Sequence, residues 1–341
     1  MAQHKLSSGK LLNEQGLLNE AGYSTTLIKE YNRNDIKAGK SRIKEWDYYY
    51  IGDENYGIAL TIDDNSYMGM ASVSVLDFKN KKHYTKSPIQ WLTFGEVKLP
   101  STSEDGDTYH SGKGFSMYFK NEKGKRRIIC SMKNVAKGKD FSCDVTLTKT
   151  TDDSMVIVTP FDKPKYFYYN QKINCLKARG YFKFGELTYQ FKGASYGVLD
   201  WGRGVWTYSN TWYWASLNSE YNGKVIGFNL GYGFGDTSAA SENMLFFDGK
   251  AYKFEDVTFN IPLDQKGKED YMGTWTFTSK SQDIYLTFVP VIDRFSDTNA
   301  IVIQSKQHQV FGLYSGYFLV DGEKIEFKNL LGFAERVKNR W

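Results

Sequence analysis

Asp47-Tyr-Tyr-Tyr-Ile51, Gly52-Asp-Glu-Asn55, Tyr56-Gly-Ile-Ala-Leu-Thr-Ile62, Asp63-Asp-Asn-Ser66 and Tyr67-Met-Gly-Met-Ala-Ser-Val-Ser-Val-Leu-Asp-Phe78 follow one another without a break. Three runs of aromatic and aliphatic residues thus alternate with two clusters of Gly, Asp and Asn. Flat rings and branched side chains pack well on a pleated surface, while the intervening residue types favour turns. The pattern predicts an antiparallel meander with a turn about every ten residues. Runs of the same kind extend it at 89–99, 114–120, 127–132, 141–149 and 154–159. A second set is expected at 176–184, 187–191, 206–219, 224–234, 243–247, 258–261, 273–279, 284–291, 301–311, 313–320 and 324–330. Asp248-Gly249 and Asp321-Gly322 sit where two-residue hairpins need positive φ. Long helical periodicity is absent, so the expected fold class is all-β, as two antiparallel barrels in tandem.

A chain of 341 residues suits two domains. Between Pro160 and Asn174 the strand pattern breaks, in Pro160-Phe-Asp-Lys-Pro-Lys-Tyr-Phe-Tyr-Tyr-Asn170, and this marks the boundary. The division is an N-terminal arm over 1–45, a first barrel over 46–165 and a second over 166–341. The arm holds a short duplication, Leu11-Leu-Asn-Glu-Gln-Gly16 and Leu17-Leu-Asn-Glu-Ala-Gly22. It is too short for a solenoid and reads as two turns, with a few helical residues around 26–31.

Composition narrows the partners. The net charge of +5 comes from 44 basic and 39 acidic residues spread along the chain, and Lys120-Asn-Glu-Lys-Gly-Lys-Arg-Arg127 reads as a solvated hairpin turn. No nucleic-acid module accompanies the basic runs, so no nucleic-acid partner is expected. Cys130, Cys143 and Cys175 form no C-x-x-C pair, and the four histidines lack ligand spacing. His110 near Glu104, Asp105 and Asp107 reads as a polar loop. No metal site is expected. The polar N-terminus and the lack of any run near the ~20 apolar residues of a membrane helix make a soluble, cytoplasmic protein the default, without stable membrane insertion.

Four of the eight tryptophans fall in Gly197-Val-Leu-Asp-Trp-Gly-Arg-Gly-Val-Trp-Thr-Tyr-Ser-Asn-Thr-Trp-Tyr-Trp214, and Gly227-Phe-Asn-Leu-Gly-Tyr-Gly-Phe-Gly-Asp236 follows. Strand alternation puts Trp212, Trp214 and Ser216 on one face, with Tyr213, Ala215 and Leu217 on the other. It likewise sets Phe228, Leu230, Tyr232 and Phe234 against Gly227, Asn229, Gly231 and Gly233. Glycines repeated on one face admit something bulky: a ring, a second sheet or a ligand. The glycine run has no Gly-Lys-Ser/Thr after it and no helix, which excludes a phosphate loop. Asp200 has two readings. Desolvated by Val198, Leu199 and Trp201, it is a general acid; paired with Arg203, it is a structural clamp on a glycine-rich turn.

The runs Tyr196–Trp206 and Gly227–Asp236, the ending Gly332-Phe-Ala-Glu335, and Leu17-Leu-Asn-Glu-Ala-Gly-Tyr-Ser24 with Tyr31-Asn-Arg33 resemble the family called domain of unknown function 2804, over almost the whole chain. At greater distance the layout resembles the two-barrel lipocalin-like proteins that include carotenoid hydratases, tocopherol cyclases and fungal cyclases. That resemblance implies paired calycin-like barrels with an apolar cavity for an isoprenoid or polyketide. It also implies that Asp200, by position, corresponds to the aspartate held to protonate an alkene. Arg203 is an added charge beside it, and the Gly-x-Trp of ordinary lipocalins is missing from the N-terminus.

Three functions remain open. The first is binding of a lipophilic small molecule by an aromatic wall of Trp201, Trp206, Trp212, Trp214 and Tyr232, with Asn229 on the glycine face. The second is a cofactor-free hydratase or cyclase using Asp200, with Arg203 beside it. The third is a carbohydrate-binding β-protein, which requires Trp206, Trp212 or Trp214 on an open surface. Glu335 is a further candidate, against the plainer reading of a surface charge. No cofactor, nucleotide or flavin is implied.

Overall fold

The structure, a computed structural model, describes residues 3–122, 124–300 and 303–340. It is nearly all-β, and two single 3₁₀ turns, Arg33–Asp35 and Lys40–Arg42, are the helical elements among the described residues. Among the described residues, no helix is long and apolar enough to cross a membrane. The helical residues expected around 26–31 are instead a short strand, Lys29–Glu30, paired in parallel with Gly9–Lys10. The duplicated segment forms a turn closed by a Leu12–Leu18 bridge, with the Asn13 carboxamide accepting from Gln15 and Leu17 N–H. Leu6, Leu11, Leu12 and Tyr31 anchor the arm in the first core.

Fourteen strands make the first sheet. Its antiparallel path runs Lys82–Lys86, Met68–Asp77, Tyr56–Asp64, Ile43–Gly52, Tyr196–Val205, Phe167–Phe184, Lys139–Thr148, Lys125–Ala136, Phe115–Glu122, Thr108–Gly112. Nine strands make the second, ordered Lys250–Lys253, Met244–Phe247, Lys224–Tyr232, Ser209–Tyr221, Glu323–Arg340, Ile303–Val320, Ile284–Ala300, Trp275–Thr278, Thr258–Asn260. Each sheet curls around its own apolar core. The two primed hairpin turns are as expected, with φ of 51° and 83° at Asp248-Gly249 and again at Asp321-Gly322.

Several expectations are revised. The proline-bearing segment is no change of sheet: Pro160 ends one strand, and Phe167–Phe184 pairs with it in the same sheet. The chain changes sheets at 206–208, so the Asp-Trp-Gly-Arg-Gly motif belongs to the first sheet. Nor is that motif a turn, since Tyr196–Val205 is a central strand buried along its whole length. Of 89–99 only Ile89–Trp91 is strand, because Leu92, Phe94 and Lys98 adopt positive φ. The closing strands run longer than the hydrophobic pattern suggests, at 17 and 18 residues. The beginning expected at 301 lies outside the described residues.

Central strands covered on both faces bring the two sheets together along a seam. Tyr48, Tyr50 and Val198 of the first sheet lie against Trp214, Phe311 and Phe333 of the second. Phe167–Phe184 helps lock the seam through a bulge between Ile173 and Leu176. There the Asn174 carboxamide donates to Ser216 Oγ, Asn218 Oδ1 and the Phe228 carbonyl, each at 3.0 Å. Bulges bend a strand and re-aim its side chains, and this one reaches across to the neighbouring sheet.

Candidate functional site

Alternation along Tyr196–Val205 separates the motif's charges. Leu199, Trp201 and Val205 enter the first core, whereas Val198 joins the seam. Asp200 therefore shares the seam face with Val198, and Arg203 the opposite face with Trp201. The expected Asp200–Arg203 clamp does not form. Arg203 is fully buried, pairs with Asp47 at 3.1 Å and donates to the carbonyls of Trp46, Gly202 and Pro100. Its guanidinium lies 4.4 Å from the Trp201 ring centroid, and Trp201 packs edge-on against Tyr31 and Tyr169. These two residues fix the first core.

Asp200 takes Lys172 as its cation, with Nζ at 2.8 Å from Oδ1. The two face each other in the ladder register. Asn170, two residues before Lys172 and on the same face, donates to Asp200 Oδ1 at 2.6 Å and to the Trp201 carbonyl at 2.7 Å. The Lys172 ammonium also lies 4.1 Å from the Trp214 ring centroid, within cation–π range. Trp214 Nε1 donates to Asn229 Oδ1 at 2.7 Å, and Asn229 Nδ2 donates to the Glu242 carbonyl at 2.7 Å.

Glu335 closes the cluster from the second sheet and is buried rather than a surface charge. It accepts from Trp212 Nε1 at 2.9 Å and from Gln309 Nε2 at 3.0 Å. Burial pushes its carboxyl above the ordinary glutamate range, with Asp200 adding to the rise and Trp212, Arg294 and Lys172 opposing it. Burial raises the Glu242 carboxyl as well, against the pull of Lys172. Tyr48 lies opposite Asp200 and accepts from Gln309 at 3.3 Å; burial pushes its phenol up to about 12. Lys172 thus acts on three buried carboxyl groups, joined by Arg294 at Glu335 and by Lys253 at Glu242.

Beside this cluster is an aromatic cage. Trp206 packs on Trp46, Trp212 and Phe234 at centroid distances of 5.1, 5.8 and 4.7 Å. Tyr168 stacks on Trp46 at 5.9 Å and meets Phe234 edge-on at 4.7 Å. Trp46 and Trp212 are half-buried and form its outer side. The face expected for Phe234 is corrected here: Gly233 has φ 90°, which ends the alternation and turns Phe234 out of the second core into the cage.

The glycine face meets the first sheet and a loop. A Cβ on Gly227 would lie 2.4 Å from Cys175 Sγ, and one on Gly231 would lie 2.8 Å from the Glu242 carboxyl carbon. Gly202 performs the same service for Trp46, whose indole would be 2.0 Å from a Cβ there.

Of the residues singled out by sequence, the seam gathers Asp200, Trp206, Trp212, Trp214, Asn229 and Glu335. Arg203 and Trp201 sit in the first core. Tyr232 stacks on Tyr213 at 4.6 Å within the second, facing away from the seam. Sequence reasoning missed Lys172, Asn170, Tyr168, Trp46 and Glu242. The signal for three of them was the alternation Tyr168, Asn170, Lys172 inside a segment read as a break. Two cavities lie elsewhere. One of about 10 Å³ lies beside Trp201, and a surface cleft of about 660 Å³ is bounded by Gln3, His4, Lys5, Tyr23, Lys253 and Glu255. Trp206 and Trp214 are 6% and 5% exposed, which removes the open stacking surface required of them for sugar binding.

The fold and seam define a class: an all-β protein of two curled antiparallel sheets with a buried acid–base cluster between them. The chain belongs to the family described as a domain of unknown function, DUF2804, whose profile matches residues 3–341. No curated protein matches the sequence. Among solved structures, it is similar to a Nitrosomonas europaea protein assigned as AttH, with 13% identity, a TM-score of 0.56 and coverage of 92% of this chain and 98% of that one. It is also similar to kievitone hydratase from Nectria haematococca, with 12% identity, a TM-score of 0.50 and coverage of 92% and 96%. At such identities the likeness is one of fold.

Proposed function

We propose that this protein binds a lipophilic small molecule at the seam and adds water to it, or isomerises it, by proton transfer without a cofactor. One observation carries the reading: three buried carboxyl groups, all within reach of Lys172, adjoin a cage of five aromatic side chains. Burying charge is costly, and apolar packing would hold two sheets together at least as well. Such a cluster is understandable where protons are moved.

The ion pair with Lys172 shifts the roles. Glu335, raised by burial and hydrogen-bonded to a cage tryptophan, is the proton donor, and Asp200 is the anion that accepts a proton. In a hydration, Glu335 gives its proton to one alkene carbon and the cation develops on the other. The faces of Trp206 and Trp212 stabilise that cation. Water adds to it, Asp200 accepts the proton that the water loses, and return of that proton to Glu335 completes the cycle. No electrons are exchanged and no metal is needed. The ligand enters on the half-buried side formed by Trp46 and Trp212. That one neighbour in fold is a hydratase agrees with this chemistry but does not establish it, since the fold hosts function only through its site.

The test begins with protein purified from its native host and extracted into organic solvent for mass spectrometry. An apolar extract of the same host is then incubated with wild type and with Glu335→Gln. The expected result is a retained apolar compound, converted by wild type to a product heavier by one water or to an isomer, and bound but unconverted by the variant. A compound bound stoichiometrically by both and converted by neither would make the protein a carrier. Neither ligand nor conversion would end the proposal.

A further inference from the structure

Next to Trp46, on the half-buried side of the cage, lies a polar pair that the chemistry of the seam does not use. The sequence reads Asp63-Asp-Asn-Ser66 as a turn, but Tyr56–Asp64 is strand, and the ladder sets Asp63 directly opposite Trp46. Ile62 enters the first core, so Asp63 takes the other face of the sheet, the one that carries Trp46 and the cage. There it is 6% exposed, and its Oδ1 has no hydrogen-bond partner among the described residues. The same holds for the hydroxyl of Tyr67, whose oxygen is buried. Buried polar atoms are almost always paired, because an orphan keeps the full cost of leaving water. Two at one place are accounted for where a ligand completes them.

The two atoms do share one place. Lys44 Nζ lies 3.9 Å from the Tyr67 ring centroid and donates to the Asn65 carbonyl at 3.1 Å. Burial raises the Tyr67 phenol, with Arg42 opposing and the Asp63 charge adding to the rise. Burial also lifts the Asp63 carboxyl to about 8, against the pull of Lys44, and lowers Lys44 to about 6. Near neutral pH the carboxyl and the amine are therefore mostly uncharged, unlike the ion pair of Asp200 and Lys172. Uncharged groups with unused hydrogen-bonding capacity suit a neutral polar group of a ligand better than an ion.

We propose that Asp63 and Tyr67 bind a neutral oxygen group, hydroxyl or carbonyl, on the ligand whose apolar part occupies the cage. The Tyr67 hydroxyl donates to that oxygen, and the Asp63 carboxyl, able to donate or to accept, serves either kind of group. A plain hydrocarbon would leave both atoms unpaired, so the substrate class is an oxygenated lipophile, an alcohol or a ketone. Proton transfer stays with Glu335 and Asp200, and this pair fixes which end of the ligand lies outward. The inference rests on the function proposed above, since it takes a ligand to enter beside Trp46.

The apolar extract of the native host is incubated with wild type, Tyr67→Phe and Asp63→Leu, and accurate mass gives the elemental composition of what each retains. Wild type is expected to retain a compound that contains oxygen, and each variant about tenfold less of it. Without ligand, Tyr67→Phe should melt no lower than wild type, because it removes an unpartnered hydroxyl rather than a bond. A lower melting temperature would give the hydroxyl to the fold and overturn the proposal, as would equal retention by Tyr67→Phe. A retained compound free of oxygen would overturn it while leaving the function proposed above intact. Retention of nothing by wild type would remove both.

Discussion

At the scale of single residues, Asp200 and Lys172 show how a partner decides what a charge does. The carboxylate faces the lysine across the ladder, and both are nearly enclosed. Removing one charge leaves the other buried without compensation, at a cost of about 3 kcal/mol. Asp200→Asn and Lys172→Met are each expected to destabilise by that amount in urea titrations, and the double variant by much less than the sum. A double variant as unstable as the sum would mean that the two side chains are held independently. Glu335 makes a different prediction because its folded-state value is raised. The folded state keeps a proton that the unfolded chain has released, so this contribution to stability is whole below the ordinary glutamate value and is lost as pH rises through the folded one. Glu335→Gln is neutral at every pH and still offers Trp212 an acceptor. Melting temperatures across a pH series should therefore fall less steeply for the variant above the ordinary glutamate range, with Glu242 responsible for part of what remains. Conversion of the ligand by wild type should decline through the same window. Parallel melting curves would remove the titrating role of Glu335.

At the scale of elements, the aromatic segment was legible because a strand has only two faces. Reading 212–217 and 227–232 by alternation divides residues of the second core from residues of the seam as the structure does. The first half of the strand Phe167–Phe184 was hidden by the prolines that precede it: Pro160 is a strand end and Pro164 a turn residue, and neither interrupts a ladder. Lys172 and Asn170 were hidden for another reason. Their partner is Asp200, 28 and 30 residues further along, and no local pattern announces a pairing made through a ladder. Tyr196–Val205 was taken for a turn because its glycines resemble turn residues, yet Gly202 is there to admit a ring. All three atoms nearest to a Cβ at this position belong to the Trp46 indole. Gly202→Ala is accordingly expected to destabilise by about 3 kcal/mol through overpacking. Trp46→Ala should recover a large part of that loss in a double-mutant cycle, since it removes the obstructing ring. Additive losses would locate the strain in the backbone instead.

At the scale of the whole molecule, two cores are joined by a third apolar layer that belongs to neither sheet alone. Phe333 is fully buried in that layer, with Trp214, Phe311 and Tyr50 at 4.8, 5.5 and 5.6 Å. Asn174 and Cys175 reach from the long first-sheet strand to Asn218 of the second sheet, and Arg294 donates to Ser74 Oγ from the opposite side. Small inter-domain interfaces let domains unfold separately, whereas a large apolar one couples them. Trp201 and Trp275 are fully buried in the first and second cores respectively, which supplies a reporter for each. With 5-fluorotryptophan incorporated, fluorine resonances of the two residues should disappear at one common urea concentration. Phe333→Ala should cost about 4 kcal/mol as a large-to-small change. Because that ring lies between the sheets, the loss should shift both resonances together rather than the Trp275 signal alone. Two midpoints in wild type would mean that the sheets fold as separate domains and meet only afterwards. Such a seam could part locally to admit a ligand, while a seam that melts only with the rest of the molecule must open on the side of Trp46 and Trp212.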